Sequence, residues 1–432
     1  MKRWTQHRAK ALFRHHGPGS LIFRRRAAMV GGAISIGLIA LLFANLADRA
    51  NHAFIALYRE YPYVPLALTP IGFVVIVWIT RRTAPDARGS GIPQVIAASR
   101  DPEGGARSLI SVRTAVIKAL LTFASLLCGS STGREGPTVQ LAAAMMALWH
   151  RAMRVEMRAS MIIVGGAAGV AAAFNTPLAG IAFAIEELAA AYEQRMALLV
   201  MSAILISGAV ASGLAGDYLY FGAVGASMDV HQAVIVAPVA GILGGVTGGL
   251  FSKLVLGAAL SEVAPMRALR ARPILFALLC GIVVAGVGVY TGLTWGPGYS
   301  PAHAMIIGVD APIWFGFAKF AATTATAVAG MPGGIFAPSL ATGAGFGNML
   351  RWIFPNDSSS AVVLLGMVAY FTGVVRAPLT AVFILSETTA SRGLMLPMMA
   401  AALIADRSSQ WICREKLYHG LSRTFSTRAD HA

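Results

Sequence analysis

The sequence predicts an all-α polytopic membrane protein built from two related halves. Three observations predict it. The chain of 432 residues is 56% hydrophobic and only 12% charged, with a mean hydropathy of +0.66; about a quarter of the residues of a soluble domain are charged. Apolar stretches close to the ~20 residues that cross hydrocarbon as a helix recur along it. Residues 118–186 also align on residues 319–387 without a gap.

The clearest apolar stretches are Ala27–Leu46, Pro62–Thr80, Leu198–Leu214, Ala233–Leu256 and Pro273–Val289, and apolar sequence continues to the region of Ile404. Residues 1–26 are basic, with Lys2, Arg3, Arg8, Lys10, Arg14 and Arg24 to Arg26 and no acid among them. Basic segments beside a span stay on the cytoplasmic side and meet anionic lipid. That places the N-terminus in the cytoplasm and assigns the net charge of +16 to a bilayer rather than to nucleic acid. A signal peptide is the competing reading, but no A-x-A site follows the apolar stretch. Cys128, Cys280 and Cys413 are too few and too scattered for a disulfide framework or a metal site, and read as small buried hydrophobes. His150, His303 and His419 likewise lack metal-ligand spacing, and no cofactor is implied.

Shifting the chain by 201 residues brings Lys118 onto Lys319 and runs to Glu186 on Glu387. In between, Thr122 meets Thr323, Gly129 meets Gly330, Gly133 meets Gly334, Pro137 meets Pro338, Gly165 meets Gly366, and Pro177-Leu178 meets Pro378-Leu379. Ala and Gly matches come cheaply in such a chain; Lys and Pro are scarce in spans and carry more weight. The halves are read as 27–225 and 231–421, followed by a short cytoplasmic tail, 422–432, without regulatory domains. Internal repeats are common in transporters, whose binding sites lie where interrupted helices of the two repeats meet. Lys118 and Lys319 are expected to snorkel or pair near helix ends.

Three turns carry the chemistry. Gly89-Ser90-Gly91-Ile92-Pro93 offers a hydroxyl donor, Gly133-Arg134-Glu135-Gly136-Pro137 an acid at membrane depth, and Gly333-Gly334-Ile335-Phe336-Ala337-Pro338 a counterpart in which Phe336 replaces the acid. Glycines let backbone amides approach a ligand. A proline in the first turn of the following helix loses no needed N–H. The helix start then presents free N–H groups and a positive dipole end, an anion site. An intramembrane acid is expensive and defaults to a functional role.

In this order the three turns resemble the signature motifs of the CLC chloride channel and transporter family, over about Arg26 to Leu421. The resemblance implies two inverted-topology repeats of about eighteen tilted and broken helices, and a homodimer with one pore per subunit. It matches Ser90, the backbone of Ile335 and Phe336, and Tyr418 to anion contacts. Glu135 matches the external gate and proton acceptor, supported by Gly133, Arg134 and Gly136. Glu187 matches the internal proton-transfer acid of the exchanger branch, with the adjacent Glu186 one residue away as the other candidate. Gln94 and Ile96 depart from the acidic residues that some bacterial relatives carry just after the first motif.

Each assignment has a plainer alternative. Glu135 would be an acid paired with Arg134, Ser90 an ordinary turn serine, Tyr418 an interfacial anchor, and Glu187 a solvated acid at a helix end; Glu387 reads as structural. The expected activity is transport rather than catalysis: chloride exchanged for protons across the cell membrane, with Glu135 and chloride competing for one set of peptide dipoles. The alternatives are a passive voltage- or pH-gated chloride channel, and transport of fluoride or nitrate, against which Ser90 weighs. A scaffold or receptor would need no matched helix-end turns.

Overall fold

A computed structural model of the protein describes residues 20–188, 194–216 and 219–425. Among them lie nineteen α-helices and no β-strand. In the first half these are α1 (Leu21–Glu60), α2 (Pro65–Thr83), α3 (Ile92–Arg100), α4 (Pro102–Arg107), α5 (Val112–Leu127), α6 (Glu135–Ala152), α7 (Ala159–Phe174), α8 (Pro177–Phe183), continued by a π-turn at Ala184–Leu188, and α9 (Gln194–Ala215). The second half holds α10 (Val230–Leu260), α11 (Ala264–Ala271), α12 (Pro273–Thr291), α13 (Tyr299–Ile306), α14 (Phe315–Val328), α15 (Phe336–Leu350), α16 (Ser359–Val375), α17 (Pro378–Thr389), α18 (Met395–Ile412) and α19 (Leu417–Ser422).

The five apolar stretches are α1, α2, α9, α10 and α12, each long and apolar enough to span a bilayer. The first is far longer than its apolar run. Ser20 Oγ accepts from Phe23 N–H at 3.1 Å and starts the helix. Arg24 to Arg26 therefore sit in its opening turns, not in a loop, and Arg24 reaches the carbonyls of Met153 and Arg154. At 40 residues α1 is about 60 Å long, twice the hydrocarbon thickness, so it must tilt or project beyond it. Of the basic segment, residues 1–19 lie outside the described residues, as do 426–432 of the tail.

The repeat is visible in the packing. Helix α1 packs on α7 and α9 as α10 packs on α16 and α18. Helices α7 and α16 both end at a left-handed residue, Asn175 (φ 57°) and Arg376 (φ 60°), which are 201 residues apart. Close approach rests on small residues, as in other membrane bundles. Gly244 and Gly248 bring α10 onto the backbone of α16 at Ala369–Tyr370 and Gly373–Val374. Helix α16 is buried from Ala361 to Val375, so the core of the molecule is the short apolar helices rather than the long ones.

Candidate anion site and its acids

The first turn is bent by two glycines with positive φ, Gly89 (63°) and Gly91 (110°). Its carbonyls are tied backwards. Lys118 Nζ donates to Ala87 O at 2.9 Å and to Gly89 O, and Gln94 Nε2 donates to Asp86 O at 3.0 Å and Arg88 O at 2.7 Å. In a trans peptide the C=O and the next N–H point opposite ways. Holding Gly89 O therefore turns the Ser90 N–H away from Lys118. Lys118 and Lys319, expected to snorkel or pair near helix ends, are both fully buried. Lys319 Nζ donates to Thr294 O (2.9 Å) and Gly296 O (2.7 Å), the positions that a 207-residue shift brings onto Ala87 and Gly89. An ammonium surrounded by carbonyls is satisfied at depth, so neither lysine has reason to seek the interface.

The second and third turns are joined to each other. Gly133 N donates to Gly334 O and Gly334 N to Gly133 O, both at 2.7 Å, in an antiparallel bridge. Helices α6 and α15 leave this bridge in opposite directions, so their N-termini start side by side. Their N-cap residues, Arg134 and Ile335, supply no side-chain cap. The first-turn N–H groups are therefore left for a ligand.

Ser90, Ile335 and Tyr418 line one cavity of about 40 Å³ beside this bridge. The Ser90 and Tyr418 hydroxyls are buried and face each other across the cavity, and neither has a hydrogen bond of normal geometry among the described residues. A buried orphan hydroxyl is costly, about 1–3 kcal/mol, and two in one cavity point to a ligand. Phe336, next to Ile335, packs its ring 6.0 Å from Tyr418, 5.7 Å from Phe183 and 4.9 Å from Phe371. A larger cavity of about 310 Å³ also reaches Ser90 and is walled by Arg81, Arg88, Arg270 and Gln94. Its arginines give it the field that draws in anions.

Glu135, the first residue of α6, is fully buried. Its carboxylate does not pair with Arg134. Arg134 Nη1 instead meets Asp48 Oδ2 at 2.6 Å. Glu135 Oε1 accepts from the hydroxyls of Tyr220, at 3.1 Å, and Tyr299, while Oε2 has no partner among the described residues. No backbone N–H of α15 bonds to it among the described residues, although the sequence suggested competition for those dipoles.

The two adjacent acids separate cleanly. Glu186 accepts from Leu379 N (2.9 Å), Thr380 N (2.8 Å) and Thr380 Oγ1 (2.7 Å), capping α17. Glu187 turns inward, with 0% side-chain exposure, and meets Lys416 Nζ at 3.3 Å and His419 Nε2 at 3.8 Å. Sequence reasoning missed Asp48, Tyr220, Tyr299, Lys416 and His419. One signal was available: Gly296-Pro297-Gly298-Tyr299 repeats the glycine spacing of Gly89-Ser90-Gly91-Ile92, at a shift of 207 rather than 201.

Helices long and apolar enough to span a bilayer, and broken helices that face one another from two repeats, define a polytopic membrane protein. A family model described as voltage gated chloride channel matches residues 71–410, and the chain belongs to that family. It is 29% identical to the H+/Cl− exchange transporter ClcA of Yersinia pestis bv. Antiqua (strain Angola), over 94% of this chain and 88% of that protein. Its fold resembles that of a slow cyanobacterial Cl−/H+ antiporter (TM-score 0.77, 21% identity, 93% of this chain and 97% of that one). It also resembles a CLC-type fluoride/proton antiporter (TM-score 0.74, 20% identity, 89% and 96%).

Proposed function

We propose that the protein exchanges chloride for protons across the cell membrane, as a homodimer whose N-terminus lies in the cytoplasm and whose halves, 27–225 and 231–421, together bound one pathway in each subunit. The observation that carries this reading is the cavity holding the buried hydroxyls of Ser90 and Tyr418 beside two uncapped helix starts. Chloride entering it loses water and gains hydroxyl and amide donors without a full cation in contact, so it can leave again. Its anion contacts are Ser90, Tyr418 and the backbone of Ile335 and Phe336. Gly133 and Gly136 allow the close approach of the chains around it.

Glu135 is the outer gate and proton acceptor: ionised it is an anion that competes with chloride, and neutral it yields. Glu187 is the inner proton site, because Glu186 is committed to its cap. His419, with 33% side-chain exposure, is the neighbour through which a cytoplasmic proton would reach it. The test is a pH-electrode recording of proteoliposomes under an imposed chloride gradient. Wild-type protein should drive protons against their gradient, and Glu135→Gln should carry chloride without protons. Chloride-driven proton pumping that survives in Glu135→Gln would remove Glu135 from the mechanism.

One observation favours the passive channel. Lys416 meets Glu187 at 3.3 Å, a contact that an ion pair with a purely structural role would also make. Reversal potentials in opposed gradients separate the two readings, since a channel ignores the proton gradient.

A further inference from the structure

Glu135 is held by a pair of phenols beside the glycine bridge, with its Oε2 against Gly133. Tyr220 lies in the turn after α9 and Tyr299 opens α13, so the two rings come from different parts of the chain. They pack edge to face at 4.7 Å, and both hydroxyls donate to the same oxygen, Glu135 Oε1. The Arg134 guanidinium lies 5.8 Å and 5.9 Å from the two ring centres and is anchored by Asp48. Two phenol hydroxyls are thus fixed on one carboxylate oxygen, with the guanidinium beside their rings, while the other oxygen has no hydrogen-bond partner among the described residues. Neither tyrosine takes part in the anion site described above.

We propose that Tyr220 and Tyr299 are positioning residues that hold the ionised Glu135 carboxylate and thereby set the pH at which the gate takes up its proton. This rests on the exchange reading. Hydrogen bonds to an ionised acceptor are stronger than those to a neutral one. The hydroxyls therefore favour the carboxylate over the acid and oppose protonation. A proton from the outer solution adds to the free Oε2; the neutral carboxyl then keeps only two weaker bonds at Oε1 and can leave the tyrosines. The groups that face this acid are Tyr220, Tyr299 and Arg134, with Asp48 and His52 behind Arg134 and Tyr418 on the cavity side. Arg134 stays charged throughout, so the hydroxyls are the adjustable part.

The test is Tyr220→Phe, Tyr299→Phe and the double variant. Each keeps the ring packing and removes one donor. Two measurements are made: the pH dependence of chloride flux in proteoliposomes, and an infrared difference titration of the protonated-carboxyl band of the solubilised protein, assigned to Glu135 by its loss in Glu135→Gln. Each hydroxyl removed should raise the midpoint of both by about one pH unit, the worth of a hydrogen bond to a charged group. The shift should vanish in the Glu135→Gln background. An unchanged infrared midpoint in the double variant overturns the proposal, and so does a flux shift that persists without Glu135. The infrared titration needs no transport, so a protein that moves chloride but no protons would sink the exchange reading and still decide this one.

Discussion

Glu186 and Glu387 each close the N-terminus of the helix that carries the other. Glu186 accepts the Leu379 and Thr380 amides of α17, on which Glu387 lies. Glu387 accepts the Leu178 and Ala179 amides, at 3.2 Å and 3.0 Å, of α8, which runs into the turn bearing Glu186. The two residues are repeat partners, and each meets the dipole end created by a Thr-Pro or Ala-Pro helix start. Carboxylates at helix N-termini replace missing caps and favour the helix. The pair fastens the halves together at a second point, away from the glycine bridge.

Replacing Glu186 or Glu387 by Ala should therefore cost about 1–3 kcal/mol of stability each, the range for a lost cap with charge-assisted bonds. The double variant should cost less than the sum if one broken clasp already lets α8 and α17 part. Proton coupling in Glu186→Gln should persist if Glu187 is the proton site, as proposed. Thermal unfolding of the solubilised protein, read beside a pH-electrode recording, checks both halves of this statement. Loss of coupling without loss of stability would return the relay to Glu186.

Glu187→Gln should show the opposite pattern, with chloride flux retained and proton transport lost. Lys416→Met gives the sign of the local field. A cation at 3.3 Å favours the carboxylate, so its removal lets Glu187 take a proton at higher pH. Lys416 is 31% exposed, which screens the pair and limits the effect. Coupled exchange should then extend upward by about one pH unit. A profile that moves downward, or not at all, would mean that Lys416 serves to hold α19 and not to tune the acid.

Much of this molecule is written in its sequence, and the losses have physical causes. The spans were legible because hydrocarbon demands length and apolarity, and all five apolar stretches are helices. The repeat was legible because Lys118 and Lys319 cannot share an offset in membrane segments cheaply. Their role was not, since burial among carbonyls depends on turns that fold back from 23 to 31 residues away. The bounds of α1 were missed because Asp48 and Arg49 interrupt the apolar pattern but not the helix. Glu135 stood out as an acid at depth, whereas Tyr220 and Tyr299 did not: a tyrosine is ordinary in a membrane protein until its hydroxyl is seen to reach an acid. The separate partners of Glu186 and Glu187 were not legible, because neighbours on any helix point about 100° apart and only the packing around the turn at Ala184–Leu188 fixes which one meets α17 and which one Lys416.

The two buried lysines make a last prediction, because they do the same work behind different turns. Lys118 holds the carbonyls behind Ser90, and Lys319 those that precede Tyr299. Methionine fits the volume of either side chain, but Lys319→Met leaves the carbonyls of Thr294 and Gly296 without a donor, and Lys118→Met strips Ala87 O and takes one of two donors from Gly89 O, which keeps the Gly333 N–H, at about 1–3 kcal/mol for each orphaned carbonyl. Both Lys118→Met and Lys319→Met should unfold at lower temperature. Their effects on binding should differ. Freed carbonyls beside Ser90 turn the anion-facing amide and hydroxyl out of position, so Lys118→Met should weaken chloride binding about tenfold, the equivalent of one lost hydrogen bond to an ion. Lys319→Met should leave chloride affinity close to wild type and instead disturb the pH dependence of Glu135 through Tyr299. Calorimetric chloride titration of the two variants at one pH decides the matter, since equal losses of affinity would mean that the turns are not independent supports.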